Sequence, residues 1–157
     1  MSSPLNSSTK LKANEGNLLT DPTQYRKLVG KLNFLTNTRL DIAYSVQHLS
    51  QYRQSPRDSH LKAAMHVLRY LKGDPGMGIF LSNSADYRLR AFCDSDWAAY
   101  PEARKSISDF IVLHGDNPIN WKSKKQYTVS LSSAEAEYRS ARKVVVQLVW
   151  LSKLLRS

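Results

Sequence analysis

Phe92-Cys93-Asp94-Ser95-Asp96-Trp97 and, about forty residues later, Ser132-Ser133-Ala134-Glu135-Ala136-Glu137-Tyr138 are the two stretches that decide the fold. In the first, Leu89, Ala91 and Cys93 alternate with Arg90, Phe92 and Asp94, which predicts a strand over 89–93 with Asp94 at its C-terminal end. In the second, Ser132-x-x-Glu135 is a capping box, which predicts the start of a helix running from about Ser133 to Leu155. Glu135 is then occupied as a cap. Glu137, about 200° further round the helix, is free for another role. A strand-end Asp facing a helix Glu is the usual beginning of a divalent-metal site for phosphodiester cleavage. Hard cations take carboxylate oxygens, and a pair of them clamps the attacking and leaving oxygens.

Composition narrows the classes. The chain has 157 residues and 41% hydrophobic content, enough for one domain or a domain with an appended subdomain. No run approaches the roughly 20 apolar residues of a membrane span, and Met1-Ser2-Ser3-Pro4 lacks a secretory pattern. The single cysteine, Cys93, allows no internal disulfide and suits a reducing, intracellular compartment. Four scattered histidines and one cysteine make no zinc pattern. The net charge of +10 favours phosphate polymers as partners. The clusters that carry it include Lys122, Lys124 and Lys125, then Arg139, Arg142 and Lys143, and these six are the expected nucleic-acid contacts.

Around the two stretches the chain changes character once. Residues 1–19, rich in Ser, Asn and Lys, read as a disordered or draped tail. Asp21-Pro22 signals a helix start, followed by Leu28, Val29, Leu32, Phe34 and Leu35. A second helix is expected over about 41–53, with Ile42, Val46 and Leu49 inward. Ser55-Pro56-Arg57-Asp58 opens a third, with Leu61, Ala64, Met65, Leu68 and Leu71 as its stripe, stopped by Gly73 and Pro75. Beyond Gly76, strands are expected over 77–82, 89–93, 108–114 and 119–122. The run Phe110-Ile111-Val112-Leu113 suits an interior strand, and Gly115-Asp116-Asn117-Pro118 is a turn. On the last helix, Tyr138, Ala141, Val145, Leu148, Val149 and Leu155 are expected inward. Val144, Val146, Trp150 and Leu151 widen the apolar surface beyond one stripe.

Seven pieces, in order, carry a family resemblance: Tyr25-Arg-Lys-Leu-Val-Gly-Lys-Leu32, Leu35-Thr-Asn-Thr-Arg39, Val67-Leu-Arg-Tyr-Leu-Lys-Gly73, Asp94-Ser-Asp-Trp-Ala98, Asn117-Pro-Ile-Asn-Trp121, Ser123-Lys-Lys-Gln126 and Leu131-Ser-Ser-Ala-Glu-Ala-Glu-Tyr138. Over roughly 20–155 the chain resembles the C-terminal part of the polymerase polyprotein of copia-type LTR retrotransposons. The resemblance implies a connection region followed by a ribonuclease H domain, an endonuclease that cuts the RNA strand of an RNA–DNA hybrid with Mg²⁺ held by four acids. It assigns the first acid to Asp94 and the helix acid to Glu137, as catalytic and metal-binding residues, with Glu135 as second choice. The third and fourth acids would lie beyond Ser157. Ala99, Asp109 and Leu40 depart from the family's usual Gly, Gly and Pro.

The expected fold is therefore α+β. A helical connection subdomain over 20–75 is followed, over 76–157, by part of a ribonuclease H-like antiparallel sheet with one long packed helix. The expected function is binding to, or action on, RNA–DNA hybrid, RNA or DNA, catalytically deficient with two of four acids and with weakly held magnesium. Two alternatives accompany it: a Mg-dependent ribonuclease H completed by another chain, and a protein-interaction module. The latter uses the apolar face around Trp150 and Leu151, covered by a second copy or another protein.

Overall fold

Apolar residues three and four apart organise the first half of the chain, and alternating ones the second. The computed structural model describes residues 3–5, 10–83, 85–100 and 102–156. It divides into two units, Met1–Gly78 with Tyr100–Glu102, and Ile79–Ala99 with Ala103–Ser157.

The first unit is helical: α1 (Thr23–Leu35), a 3-10 turn (Leu40–Ile42), α2 (Ala43–Ser50) and α3 (Asp58–Gly73). Tyr25, Val29 and Leu32 of α1 bury against Ile42, Val46 and Leu49 and against Ala64 and Val67 of α3. Ile42, Val46 and Leu49, expected inward on the second helix, are buried, and Ser45 and His48 join them. The inward residues of α1 and α3 are partly shifted. Phe34 and Met65 are exposed, while Tyr25, His60 and Val67 lie inside. The reason is polar. Tyr25 can go inside because its hydroxyl donates to the Leu49 carbonyl at 2.7 Å.

Helix starts move too. α1 begins after Pro22, with the Asp21 carboxylate accepting from Thr23 N at 2.9 Å. α3 begins at Asp58 rather than near Pro56, because Arg57 and His60 form the capping pair. His60 Nδ1 accepts from Arg57 N at 3.0 Å, its Nε2 meets the Lys12 carbonyl at 2.9 Å, and its ring stacks on Tyr52 with centroids 3.9 Å apart. Burial lowers its pKa, which suits the neutral ring these contacts require.

Of the two readings of the tail, disordered or draped, residues 10–19 follow the draped one. Leu11 is buried, and its carbonyl accepts from the Tyr52 hydroxyl at 2.7 Å. Arg57 donates to the carbonyls of Ala13 and Gly16, both at 2.7 Å. Asn17 and Asp58 exchange two bonds, and Leu18 bridges to Arg57. The segment is fastened mainly through its backbone. Residues 6–9, part of the same expected tail, lie outside the described residues.

The second unit is a three-stranded antiparallel sheet, β1 (Leu89–Tyr100), β2 (Lys105–His114) and β3 (Asn117–Val129), in the order β1-β2-β3, with α4 (Ser133–Arg156) packed on β2. The α+β class and the long C-terminal helix are as expected, and the apolar run Phe110–Leu113 sits on the central strand. Gly115, at φ 59°, makes the β2–β3 turn. A Cβ there would stand 2.2 Å from the Asp86 carbonyl oxygen.

Three expectations are corrected in this unit. No strand forms over 77–82. Phe80 and Leu81 are exposed, and the backbone of Ser82 pairs instead with the side-chain amide of Asn117, at 2.5 and 3.0 Å. β1 runs on to Tyr100, so Asp94 lies within the strand and not at its end. On α4 the inward residues are Ala136, Ser140, Val144 and Leu151, whereas Tyr138, Val145, Val149 and Leu155 are exposed. Small residues lead this face because Gln126, only 2% exposed, must reach the Ala136 carbonyl at 3.0 Å while holding Ser108 Oγ at 2.9 Å. No helix among the described residues is long and apolar enough to cross a membrane.

Candidate nucleic-acid interface

The acids come first. Asp94 is exposed on β1, and its carboxylate accepts from Ser95 N at 2.8 Å. Its carbonyl accepts from the Ser140 hydroxyl of α4 at 2.8 Å. Glu137 precedes Ser140 by three residues, about 4.5 Å along the axis. The backbone therefore brings Asp94 and Glu137 into one neighbourhood, but no described contact joins their carboxylates, and Glu137 is exposed.

Glu135 is committed to structure. It accepts from Leu131 N at 2.7 Å and from Arg139 at 2.7 and 3.1 Å, while its own N–H donates to Ser132 Oγ at 3.1 Å. The Leu131 amide, then Arg139, lowers its pKa. Its carboxylate thus reaches one residue further back than the Ser132 amide that the capping box predicts.

A third acid has a different environment. Ser108 and Phe110 face the cleft under α4, so strand alternation turns Asp109 to the other face of the sheet. Burial pushes its carboxyl up to about 6, and the carboxylates of Asp94 and Asp96 push the same way. The hydroxyl of its register partner Ser123 opposes this without closing a full hydrogen bond. Electrostatics thus couple Asp109 to Asp94 and Asp96. Among the described residues no three His, Cys, Asp or Glu side chains gather closely enough to hold a metal. Asp94 and Glu137 are two of the four acids that the resemblance implies for magnesium.

The bases do converge. A cleft of about 630 Å³ lies between β3 and α4. Lys122 and Lys124, two apart on β3, point to one face of the sheet. Arg139, Arg142 and Lys143, three and four apart on α4, face them, and Val146 and Gln147 continue the same stripe. Five of the six basic residues expected to touch nucleic acid line this one cleft. Lys125 does not, since alternation turns it to the opposite face, against Ile107. Among the described lining residues there is no acid.

The cleft is strongly cationic in effect as well as in count. Arg139 is held by Glu135 and by a short bond to the Thr128 hydroxyl. Lys143 Nζ is buried without a hydrogen-bond acceptor. Burial lowers its pKa first, and the charges of Lys124 and Arg139 add to that, against Tyr127. Tyr127, absent from the sequence-based expectation, stands at the cleft 74% exposed, with the Lys124 ammonium 5.2 Å from its ring centre. A hydrogen bond from Lys124, then the charges around it, lowers its hydroxyl pKa. The signal that could have found it was its position directly after the Lys122–Gln126 run.

The apolar surface expected around Trp150 is present in part. Val145, Val146, Val149, Trp150, Leu154 and Leu155 are exposed, but Leu151 is buried on the inward face.

No family model matches the chain, and no solved structure matches it. Among curated proteins it is similar to the retrovirus-related Pol polyprotein from transposon RE1 of Arabidopsis thaliana. The two are 44% identical over 155 residues, 99% of this chain and 11% of that protein. The tobacco transposon TNT 1-94 polyprotein is 34% identical over 90% of this chain and 10% of its own length. A protein named secreted RxLR effector protein 161, from Plasmopara viticola, is 36% identical over 82% of this chain and 91% of its own length. The chain thus spans about a tenth of the length of the polyproteins it matches.

Proposed function

Since the chain belongs to the retrovirus-related Pol polyproteins of copia-type transposons, we propose that its second unit is a ribonuclease H-like region that binds nucleic acid without cleaving it. The observation that carries this reading is the gathering of Lys122, Lys124, Arg139, Arg142 and Lys143 on one acid-free cleft. Phosphate oxygens satisfy such cations, and release of the counterions around the polymer makes the affinity fall with salt. Four to five phosphate contacts correspond to a slope of about −4 in log affinity against log salt.

The test is one assay. The chain is incubated with labelled RNA–DNA hybrid and Mg²⁺ or Mn²⁺, alongside Asp94→Asn and Glu137→Gln, and cleavage and retention are measured together. Retention without cleavage, unchanged in both variants and steeply weakened by salt, is the expected result. Cleavage lost in both variants would overturn the reading in favour of a metal-dependent nuclease. A second reading rests on the exposed Val145, Val149 and Trp150: a protein or second copy covering this face of α4. It expects no nucleic-acid retention at physiological salt and an oligomer or complex that Trp150→Glu dissolves.

A further inference from the structure

We infer that the cleft between β3 and α4 seats one unpaired nucleotide, with its phosphate on the Lys143 ammonium and its base against the Tyr127 ring, so that single strands are held more tightly than duplexes. This deepens the binding reading above and rests on it. An ammonium carries three donors and no acceptor. No protein acceptor among the described residues lies within hydrogen-bond reach of Lys143 Nζ. Buried and unpaired, such a group is costly. The charges of Lys124 and Arg139 act on it as cations, with Tyr127 acting against them, so a bound anion would relieve both its lack of an acceptor and the crowding of positive charge. Phosphate matches, since its oxygens accept from several donors at once.

The rest of the cleft is not a bare phosphate site. Phe110 and Val146 give it apolar walls, and its volume of about 630 Å³ falls in the range of pockets that enclose small ligands. Tyr127 offers an open aromatic face beside the cations. A positive groove with an aromatic platform is the arrangement that holds single strands, because every unpaired base has a face to stack. A duplex keeps its bases stacked inside and presents only its backbone, so it can meet the outer lysines but cannot bring phosphate and base into the cleft together.

The experiment measures binding of a labelled ten-nucleotide single strand, and of an RNA–DNA hybrid of the same length, at a fixed near-physiological salt concentration. The proteins are the full chain, Lys143→Met, Lys143→Arg, Tyr127→Ala and, outside the cleft, Lys125→Met. The single strand is expected to bind at least about 5-fold more tightly than the hybrid. Lys143→Met and Tyr127→Ala are each expected to lose about 5- to 10-fold on the single strand, as loss of one stacked base does, and less than about 2-fold on the hybrid. Lys143→Arg and Lys125→Met should keep most of the single-strand affinity. Thermal unfolding checks integrity, and Lys143→Met is expected to melt no lower than the parent, since it removes an unpaired buried charge. Equal or tighter hybrid binding, or full single-strand affinity in a folded Lys143→Met, overturns the inference while leaving the binding reading intact. Absence of retention for both nucleic acids overturns both.

Discussion

Asp109→Asn is expected to stabilise the second unit near neutral pH, and the structure gives the size of the effect. Burial first, then Asp94 and Asp96, raises the Asp109 carboxyl from 3.8 to about 6. The folded chain therefore holds this proton more tightly than the unfolded one. Its contribution to stability is complete below pH 3.8, declines as pH rises towards 6, and is lost above that. At about 1.36 kcal/mol per tenfold change, the displacement corresponds to about 3 kcal/mol. The side chain is partly exposed, and relaxation of nearby water reduces this to about 1–2 kcal/mol. Asn has nearly the same shape, carries no charge and can donate to the Ser123 hydroxyl across the ladder. All three tryptophans, Trp97, Trp121 and Trp150, lie in the second unit, so their fluorescence follows its unfolding alone. Urea titrations at pH 4 and pH 7.5 should show the variant about 1–2 kcal/mol more stable at the higher pH and nearly equal to the parent at the lower. A variant equal to or weaker than the parent at pH 7.5, or a difference that does not change with pH, refutes the assignment of a buried, charge-crowded carboxyl.

Gln126→Leu removes a buried amide that holds Ser108, Ser130 and the Ala136 carbonyl. A loss of about 2–4 kcal/mol is expected in the same tryptophan-monitored unfolding, from stranded polar groups rather than lost volume. Arg57→Ala releases the carbonyls of Ala13 and Gly16. Trypsin should then cut after Lys10 and Lys12 at least several-fold faster, while the tryptophan transition of the second unit stays where it was.

Element order was legible because it depends on local signals. The Ser132–Glu135 cap marks where α4 starts, and Phe110–Leu113 could only be an interior strand. The two basic clusters were legible as well, since Arg139, Arg142 and Lys143 share a helical face and Lys122 and Lys124 a strand face; that they line one cleft came only from the structure. Lys125 was misplaced by reading a run of bases as one patch when a strand sends neighbours to opposite faces. The fastening of residues 10–19 was hidden for another reason. It uses the carbonyls of Leu11, Lys12, Ala13, Glu15 and Gly16, which every sequence has and none displays.

The geometry of the acid pair is set at a finer level than either motif, for one physical reason. A motif of the Asp94-Ser95-Asp96 kind says which backbone a helix will cross, and α4 does cross it, with Ser140 on the Asp94 carbonyl. It does not say where the carboxylate points, because a slip of one residue sends a strand side chain to the other face. β1 continues seven residues past the expected end at Cys93, and it passes through Ala98 at φ 50°, a left-handed kink that a residue with a Cβ adopts only at some cost. Neither the extra length nor the kink is signalled by the alternation of Leu89, Ala91 and Cys93. At the kink the Ser106 hydroxyl accepts from Ala98 N at 3.1 Å, a contact between β1 and β2 that no local motif announces. Convergence of carboxylates is a property of the assembled sheet and helix, whereas the clustering of bases on β3, and of those on α4, needs only the periodicity of each element by itself.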